Sequence, residues 1–175
     1  GATEPGSTFK LASMLALLEE TSVALTHTID TGDGQFQFCD RIMKDVKKGG
    51  LGELTVQEVF EQSSNIGVAR LIDETFGKNP QRFIDYVHQL SLSKPLDLQM
   101  VGVGTPLIKH PKSPEWSGVT LPWMSIGYEL KITPLHTLTL YNAVANNGKM
   151  IQPMIVKRIK QANRTIKAFQ GVVLN

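Results

Sequence analysis

The most strongly apolar part of the chain is the segment from Lys10 to Glu20, KLASMLALLEE, which is apolar on most sides of a helix. It consists almost entirely of residues with high helix propensity. A helix that is apolar nearly all round is buried in a core. Because Pro5 and Gly6 form a turn signal just ahead of it, we expect a largely buried helix with Ser7 at or near its N-terminus.

Two further helices are predicted on either side of a short break. Thr55-Val56-Gln57-Glu58 matches a capping box, in which the Thr hydroxyl and the Glu carboxylate satisfy free backbone donors, and it predicts a helix to about Ser63. After Asn65 the apolar residues recur on one helical face and stop at Gly77, a residue that ends helices.

The second half of the chain predicts two more helices around an irregular region. Asn79-Pro80 opens one that runs to about Leu90, since Pro is favoured in a first helical turn. The several Pro and Gly residues between Ser93 and Leu121 predict an irregular, well-packed region. Thr133-Pro134 begins the last helix, which ends at Asn147-Gly148.

The patterns typical of strands are short and few. Thr28–Asp30 and Gln35–Phe38 flank Gly32-Asp33-Gly34, which predicts a small hairpin. Met150–Ile159 and Thr165–Leu174 are also predicted as strands. The elements together predict a mainly helical α+β unit.

Composition and charge fit one ordinary globular domain. The chain has 175 residues, of which 41% are hydrophobic and 19% charged. The formal net charge of +2 and the scattered basic residues argue against a nucleic-acid partner. The densest basic run, Lys44, Lys47 and Lys48, is interpreted as a solvated loop. Cys39 is the single cysteine, so no internal disulfide is possible.

No segment has the length of a membrane helix. The longest apolar stretch, Leu11–Leu18, is broken by Ser13 and falls short of the roughly 18 residues a span needs. The first residues are not expected to form a signal peptide, because they lead directly into the turn before Ser7. We therefore expect a fragment whose flanking segments have been removed.

The chemistry begins with Ser7-Thr8-Phe9-Lys10. A serine and a lysine three apart on a helix share a face, with about 5–6 Å between their Cβ atoms. A serine hydroxyl is a weak nucleophile until a nearby base takes its proton. A lysine can be that base when burial lowers its pKa. The free N–H groups of the helix N-terminus would favour developing negative charge.

The same pattern occurs a second time, in Ser91-Leu92-Ser93-Lys94. This copy lies at the predicted end of a helix and leads into Pro95, so it cannot open a helix. We interpret it as structural, and it shows that S-x-x-K alone is a weak signal.

Ser63-Ser64-Asn65 is the second candidate element. It lies at the break between two predicted helices, where Ser63 Oγ and the Asn65 amide can point into a cleft. The alternative is a simple helix N-cap, because Ser and Asn are both preferred at that position.

Taken together, these segments resemble class B penicillin-binding proteins. Glu4–Lys10, EPGSTFK, is similar to the nucleophile motif of that family, and Gln62–Ala69, QSSNIGVA, to its S-x-N motif. The segments that resemble the region before the third motif are Trp116-Ser117, Ser125–Tyr128 and Ile132–Leu135, and they are closer to the division-specific members than to the elongation-specific ones.

The resemblance implies a role for each motif residue. Ser7 would attack the penultimate D-Ala carbonyl of a peptidoglycan stem peptide, and Lys10 would be the base. Ser63 would relay a proton to the leaving amine, and Asn65 would orient the substrate and Lys10. The Ser7 backbone N–H would form half of the oxyanion hole. β-Lactam antibiotics would acylate Ser7, and no cofactor or metal is implied.

The resemblance also implies a setting. The parent protein would cross-link the cell wall at the division septum together with division-complex proteins. It would be anchored in the cytoplasmic membrane of a bacterial cell envelope by an N-terminal segment missing here, with the catalytic domain outside, on the periplasmic side.

One family motif is missing from the chain. No Lys is followed by Ser or Thr and then Gly, whereas the family carries K-[ST]-G on a strand that lines the cleft. Residues 1–175 are therefore expected to form the helical lobe of the serine transpeptidase / β-lactamase-like fold. The central antiparallel sheet would be largely missing and catalysis negligible.

Other interpretations are weaker. Asp30-Thr31-Gly32 is a single copy of a triplet that aspartic proteases need twice. The four histidines lack the H-E-x-x-H spacing of a metal site, and no dinucleotide or Walker A fingerprint is present. A non-catalytic penicillin-fold binding module and a β-lactam sensor remain alternatives. Tyr128 and Glu129 are expected near the cleft if the family geometry holds.

Overall fold

The computed structural model describes residues 1–99 and 101–174, so Met100, which falls in the predicted irregular region, and Asn175 lie outside it. A 3₁₀ turn, Gly6–Phe9, leads directly into the first helix. The helices are α1 (Lys10–Glu20), α2 (Val56–Glu61), α3 (Asn65–Phe76), α4 (Pro80–Gln89), α5 (Thr120–Ser125) and α6 (Pro134–Ala145). The strands are β1 (Thr28–Asp30), β2 (Gln35–Phe38), β3 (Arg41–Lys44), β4 (Glu53–Thr55), β5 (Leu107–Ile108), β6 (Leu130–Lys131), β7 (Arg158–Gln161) and β8 (Arg164–Ala168).

The helices form the core, as the sequence predicts. α3 lies at its centre and contacts α1, α2, α4 and α5. The buried apolar side chains of α3 are Ile66, Val68, Ala69, Leu71, Ile72 and Phe76. Gly67 lets α2 approach α3 closely, because a Cβ there would lie 2.6 Å from a methyl of Val59. α1 contributes Ala12, Ala16 and Leu17, and Phe9 just before it is also buried.

Local capping signals set the helix ends. Thr55 and Glu58 form the expected capping box at the start of α2. Thr133 forms a second capping box with His136 at the start of α6. Asn79 occupies the predicted cap position of α4, yet its side chain makes no cap hydrogen bond.

The strands of the described residues form two-stranded antiparallel sheets: β1 with β4, β2 with β3, β5 with β6 and β7 with β8. No larger sheet occurs among residues 1–99 and 101–174, which agrees with the expected α+β lobe whose central sheet is largely missing.

The predicted pairing of Thr28–Asp30 with Gln35–Phe38 is wrong. β1 pairs instead with β4, and β2 forms a tight hairpin with β3 around Cys39 and Asp40. The glycines at 32 and 34 do not close a hairpin because a second glycine-rich loop packs on them. A Cβ on Gly50 would lie only 2.3 Å from the Gly32 carbonyl oxygen. Thr31 then donates from its amide and its hydroxyl to the Gly52 carbonyl, at 2.7 Å each.

The predicted C-terminal strands are longer than the observed ones. β7 overlaps its predicted range only at Arg158 and Ile159 and continues to Gln161, while β8 begins one residue before its predicted range and ends at Ala168. An isolated bridge joins Ile151 to Val173. Pro153, which has no N–H to donate, interrupts the first of the two predicted strands. Among the described residues, no helix combines the length and apolarity required to cross a membrane.

Candidate active site

The turn that carries Ser7 is held in place by a distant segment. Gly6 donates its N–H to the Gly127 carbonyl at 3.0 Å, and Thr3 exchanges two backbone hydrogen bonds with Ile132. Ser7 lies in the middle of the 3₁₀ turn and is exposed, and its carbonyl accepts the N–H of Lys10 at the start of α1. The predicted location at a helix N-terminus is therefore close to the observed one.

The Lys10 side chain is buried and points at the S-x-N turn. Only 1% of Lys10 is exposed. Its Nζ donates to the Ser63 carbonyl at 2.6 Å, to Ser63 Oγ at 3.0 Å and to Asn65 Oδ1 at 2.7 Å. These contacts join segments more than fifty residues apart in sequence, so the structure brings Lys10, Ser63 and Asn65 together, one turn away from Ser7.

Burial changes the acid–base chemistry of this lysine. Desolvation lowers the pKa of Lys10 to about 8, and the negative charge of Asp45 opposes that effect by raising it. Burial disfavours the charged form of an amine, which is the physical cause of the larger effect. An amine with such a pKa is far better able than an ordinary lysine to accept a proton near neutral pH.

The same shift predicts how stability depends on pH. Between about pH 8 and 10.5 the unfolded chain keeps the Lys10 proton that the folded chain has lost, so the free energy of unfolding rises with pH. Below this window the amine is charged in both the folded and the unfolded chain, and above it the amine is neutral in both. Outside the window Lys10 therefore adds no pH dependence to the free energy of unfolding. Urea unfolding of the wild type and of Lys10→Met at several pH values checks this. The wild type should gain stability relative to the variant as pH rises through the window, and parallel pH curves would contradict the lowered pKa.

The S-x-N turn is built so that its middle serine caps α3. Ser64 Oγ accepts the N–H of Gly67 at 2.9 Å, and Ser64 is the N-cap residue. The alternative of a simple cap therefore applies to Ser64 and not to its neighbours. Ser63 adopts a left-handed backbone with φ 53°, which L-residues other than Asn and Asp rarely adopt. Such strain is often found at functional sites.

Asp45, just after β3, is a site residue that the sequence reasoning missed. Its Oδ1 accepts the N–H groups of Asn65 at 2.5 Å and Ile66 at 3.1 Å, and its Oδ2 accepts the Ser64 hydroxyl at 2.9 Å. The preceding residue, Lys44, accepts the Asn65 side-chain amide at its carbonyl oxygen at 2.9 Å. No short motif marks this aspartate, because its partners lie about twenty residues further along the chain.

A cleft of about 400 Å³ joins the two motifs. Its lining residues are Ser7, Asp45, Val46, Lys47, Leu51, Gln62, Ser63 and Ser64. Within the described residues, the Ser7 hydroxyl forms no hydrogen bond and is therefore free to contact a molecule in the cleft. Lys47 and Lys48 lie in the exposed loop after β3, as predicted, whereas Lys44 is the last residue of β3 and not part of a loop. Lys47 lines one rim of this cleft.

The second S-x-x-K copy has none of these features. Ser91 and Ser93 follow α4 in a turn, and Ser93 Oγ lies 2.6 Å from His88 Nδ1. Lys94 is exposed, whereas the lysine of the first copy is buried. The expected structural role of this copy is confirmed.

The other residues singled out from the sequence have ordinary surroundings. Asp30 Oδ1 accepts the Gly32 N–H at 2.8 Å in a local turn. Glu129 pairs with Lys109, and its N–H donates to Glu4 Oε1 at 3.1 Å, so it lies beside the segment that leads to Ser7. The residues of the structure contain no group of three or more His, Cys, Asp or Glu side chains that could hold a metal ion.

A helical core in which an S-x-x-K turn faces an S-x-N turn across a cleft defines a protein of the penicillin-binding transpeptidase class. The chain belongs to the family described as penicillin binding protein transpeptidase domain, whose model matches residues 1–173. The family predicted from the motifs is thereby confirmed, and so is its mainly helical fold.

Two named relatives illustrate the similarity. The chain is 28% identical over 154 residues to penicillin-binding protein PbpB of Mycobacterium tuberculosis, which covers 88% of this chain and 22% of that protein. It is 27% identical over 156 residues to peptidoglycan D,D-transpeptidase FtsI of Escherichia coli, with 89% and 25% covered. The chain thus spans roughly a quarter of the length of these relatives.

Solved structures agree with this assignment. The transpeptidase domain of penicillin-binding protein 3 from Burkholderia pseudomallei superimposes with a TM-score of 0.79 at 25% identity, covering 94% of this chain and 47% of that one. Penicillin binding protein 3 from Mycobacterium tuberculosis, complexed with ampicillin, gives a TM-score of 0.82 at 24% identity and covers 99% and 37%. The latter likeness establishes the fold.

Proposed function

We propose that this chain supplies the nucleophile and the S-x-N half of a peptidoglycan D,D-transpeptidase. The observation that carries the proposal is the buried Lys10 amine, hydrogen-bonded to Ser63 Oγ and Asn65 Oδ1 and placed one turn after the exposed Ser7. The relatives include proteins named peptidoglycan D,D-transpeptidase, which supports the same reaction class.

In the acylation step, Ser7 Oγ forms a bond to the penultimate D-Ala carbonyl carbon while Lys10 Nζ takes the hydroxyl proton. The carbonyl oxygen becomes an oxyanion that the Ser7 backbone N–H stabilises. When the intermediate collapses, the C–N bond to the terminal D-Ala breaks, and the leaving nitrogen receives a proton through the Ser63 hydroxyl. The lowered pKa of Lys10 suits an amine that must accept and return a proton in each cycle.

In the transfer step, the amine of a second stem peptide attacks the acyl-enzyme. Its proton passes back through the same groups, and the Ser7 oxygen leaves as a hydroxyl. The Asn65 side chain holds Lys10 through Oδ1 and is itself held by the Lys44 carbonyl through Nδ2. Asn65 therefore orients the amine. A β-lactam would follow only the acylation step and remain bound to Ser7.

The domain assignment is part of the proposal: residues 1–175 are the helical lobe of the transpeptidase domain. The chain contains no K-[ST]-G sequence, which would supply the second oxyanion donor. An exposed apolar face on α6, formed by Leu138, Tyr141 and Val144, supports a lobe that packs against further structure. Loss of one oxyanion donor typically slows such enzymes about 10²–10³-fold. The 175-residue chain alone should therefore acylate slowly.

The biological setting proposed is cell-wall synthesis at the division septum of a bacterium. Relatives named FtsI and PbpB support this setting, and another relative is named stage V sporulation protein D, from Bacillus subtilis. Division-complex partners and a membrane anchor that leaves this lobe outside the cytoplasmic membrane belong to the same proposal.

The proposal is tested with a fluorescent penicillin and two proteins, the complete transpeptidase and the 175-residue chain. We expect stoichiometric labelling of the complete protein, with the adduct mapped by mass spectrometry to the peptide that contains Ser7. The chain alone should label at least about 100-fold more slowly. An adduct on another residue, or a complete protein that folds and never labels, would overturn the proposal and favour a non-catalytic module.

A further inference from the structure

The carboxylate of Asp45 forms as many hydrogen bonds at the S-x-N turn and the start of α3 as Lys10 forms to that turn. It accepts three hydrogen bonds, from the Asn65 N–H, the Ile66 N–H and the Ser64 hydroxyl. Hydrogen bonds to an ionised carboxylate are roughly twice as strong as neutral ones. The carboxylate also lies at the N-terminus of the twelve-residue helix α3, where negative charge is favourable.

Asp45 is itself fixed by the β2–β3 hairpin. It directly follows β3, its N–H donates to the Gly34 carbonyl at 3.1 Å, and Lys44 pairs with Gln35 at the end of the ladder. The Lys44 carbonyl then accepts the Asn65 side-chain amide at 2.9 Å. Two consecutive residues of one strand end thus hold both the backbone and the side chain of Asn65.

This arrangement has a consequence for Lys10. Asn65 Oδ1 and Ser63 Oγ can accept hydrogen bonds from Lys10 only while the turn keeps its conformation, in which Ser63 is held at φ 53°. A non-glycine residue reverts readily to other conformations unless its surroundings fix it. The bonds to Asp45 on the residues that follow Ser63 contribute to that restraint, together with the Ser63 N–H bond to the Phe60 carbonyl at 3.1 Å and the Lys10 bond to the Ser63 carbonyl.

We propose that Asp45 is a positioning residue of the acylation site, whose carboxylate fixes the Ser63–Asn65 turn against Lys10 and sets the electrostatic surroundings of the amine. This inference rests on the proposed function for its catalytic meaning. Its geometric part, the restraint of the turn, is independent of catalysis.

The electrostatic part depends on what else faces Lys10. The elements that pack most extensively on α1 are the 3₁₀ turn, α3 and α4, and Ser13 of α1 also donates to the Ser125 carbonyl of α5, a helix without titratable side chains. Their arginines are engaged elsewhere: Arg70 of α3 with Glu74 and the Asp30 carbonyl, and Arg82 of α4 with Glu20 at the far end of α1. The remaining titratable side chains of these elements are Glu19, Asp73, Asp85, Tyr86 and His88. Outside these elements, the charged side chain of Lys47 lines the cleft. Asp45 is the charged group whose field acts on the pKa of Lys10, and it acts to raise it.

The test compares Asp45→Asn, which keeps the shape and removes the charge, with Asp40→Asn, which removes the same charge from the exposed hairpin turn. In the 175-residue chain, NMR measures hydrogen exchange of the Asn65 and Ile66 amides and the titration of the Lys10 Nζ. For Asp45→Asn we expect about tenfold faster exchange of both amides, and a Lys10 pKa below that of the wild type. Asp40→Asn should change neither.

A second variant separates charge from placement. Asp45→Glu keeps the negative charge but moves the oxygens, so it should lose the amide protection while the Lys10 pKa stays closer to the wild-type value. In the complete transpeptidase, the pH profile of Ser7 labelling should move to lower pH in Asp45→Asn and stay in place in Asp40→Asn. A purely structural role would lower the rate without moving the profile.

The outcomes distinguish this inference from the proposed function. If the wild type never labels while Asp45→Asn still loosens the two amides and shifts Lys10, the function fails and the positioning role stands. If Asp45→Asn and Asp45→Glu both match Asp40→Asn in amide exchange and in Lys10 titration, the positioning role is overturned, whatever the labelling shows.

Discussion

Substitution of Lys10 by methionine in the complete transpeptidase is expected to slow acylation of Ser7 about 10³-fold, within the range of roughly 10²–10⁴ typical for loss of a general base. The physical reason is the position of the amine, buried and bonded to Ser63 Oγ and Asn65 Oδ1. Methionine has a similar length and fills the same buried space without a proton acceptor of suitable basicity. The rate of labelling by a fluorescent penicillin at constant pH measures the effect.

The fold should survive this substitution. The Ser63 carbonyl and the Asn65 amide lose a donor, but Ser63 is exposed and Asn65 only half-buried, so water can replace that donor, and removal of a desolvated amine is itself favourable. Lys94→Met is the matched control, since Lys94 is the exposed lysine of the second S-x-x-K copy and should leave the rate unchanged. Ser7→Ala should abolish labelling. A Lys10→Met protein that keeps more than a tenth of the wild-type rate would exclude the lysine as the base.

The helices could be predicted from the sequence because their signals are local. The capping box of Thr55 and Glu58 and the stop at Gly77 act within one turn of the helix they delimit. α5 is the exception, because it is short and carries Pro122 in its first turn, within a region rich in turn residues. A proline is tolerated there, but it also marks loops, so the sequence alone favours an irregular segment.

Strand pairing could not be predicted in the same way, because the deciding contacts are not local. β1 pairs with β4 in a register that places Thr28 opposite Thr55. The packing of Gly50 on the Gly32 carbonyl favours this pairing. Two glycine-rich loops that pack on each other resemble two independent turns when they are considered one at a time. The strands themselves were partly evident from their composition, while their partners were not.

The site shows the same division between local and distant signals. Ser7, Lys10, Ser63 and Asn65 were evident because they belong to two short patterns in a family order, and the structure brings the last three into contact. Asp45 belongs to no pattern. The available signal was a lone carboxylate within the basic run of Lys44, Lys47 and Lys48, and only the fold reveals that its partners are the amides of the S-x-N turn.

The second large effect is expected at Gly127, which lies against the backbone of the nucleophile segment. A Cβ at this position would be 2.0 Å from the Gly6 carbonyl oxygen, and φ is +86°. Gly127→Ala therefore combines backbone strain of about 1–2 kcal/mol with a clash that overpacking data place at roughly 1–3 kcal/mol. We expect the free energy of unfolding to fall by about 2–5 kcal/mol, measured by urea denaturation of the 175-residue chain.

The same substitution should impair acylation more than its cost in stability suggests. Relief of the clash requires Gly6 to move, and Gly6 immediately precedes Ser7 and is held by the Gly127 carbonyl at 3.0 Å. A displacement of about 1 Å at a reacting group can cost roughly 100-fold in rate. Gly148→Ala is the matched control, because Gly148 has φ +81° with open space around its Cβ position, so only the strain applies. If both variants label at the same rate, the packing of Gly127 on Gly6 does not place the nucleophile. A lower rate in Gly127→Ala alone shows that the backbone contact between Gly6 and Gly127, distant in sequence, helps to fix the position of Ser7.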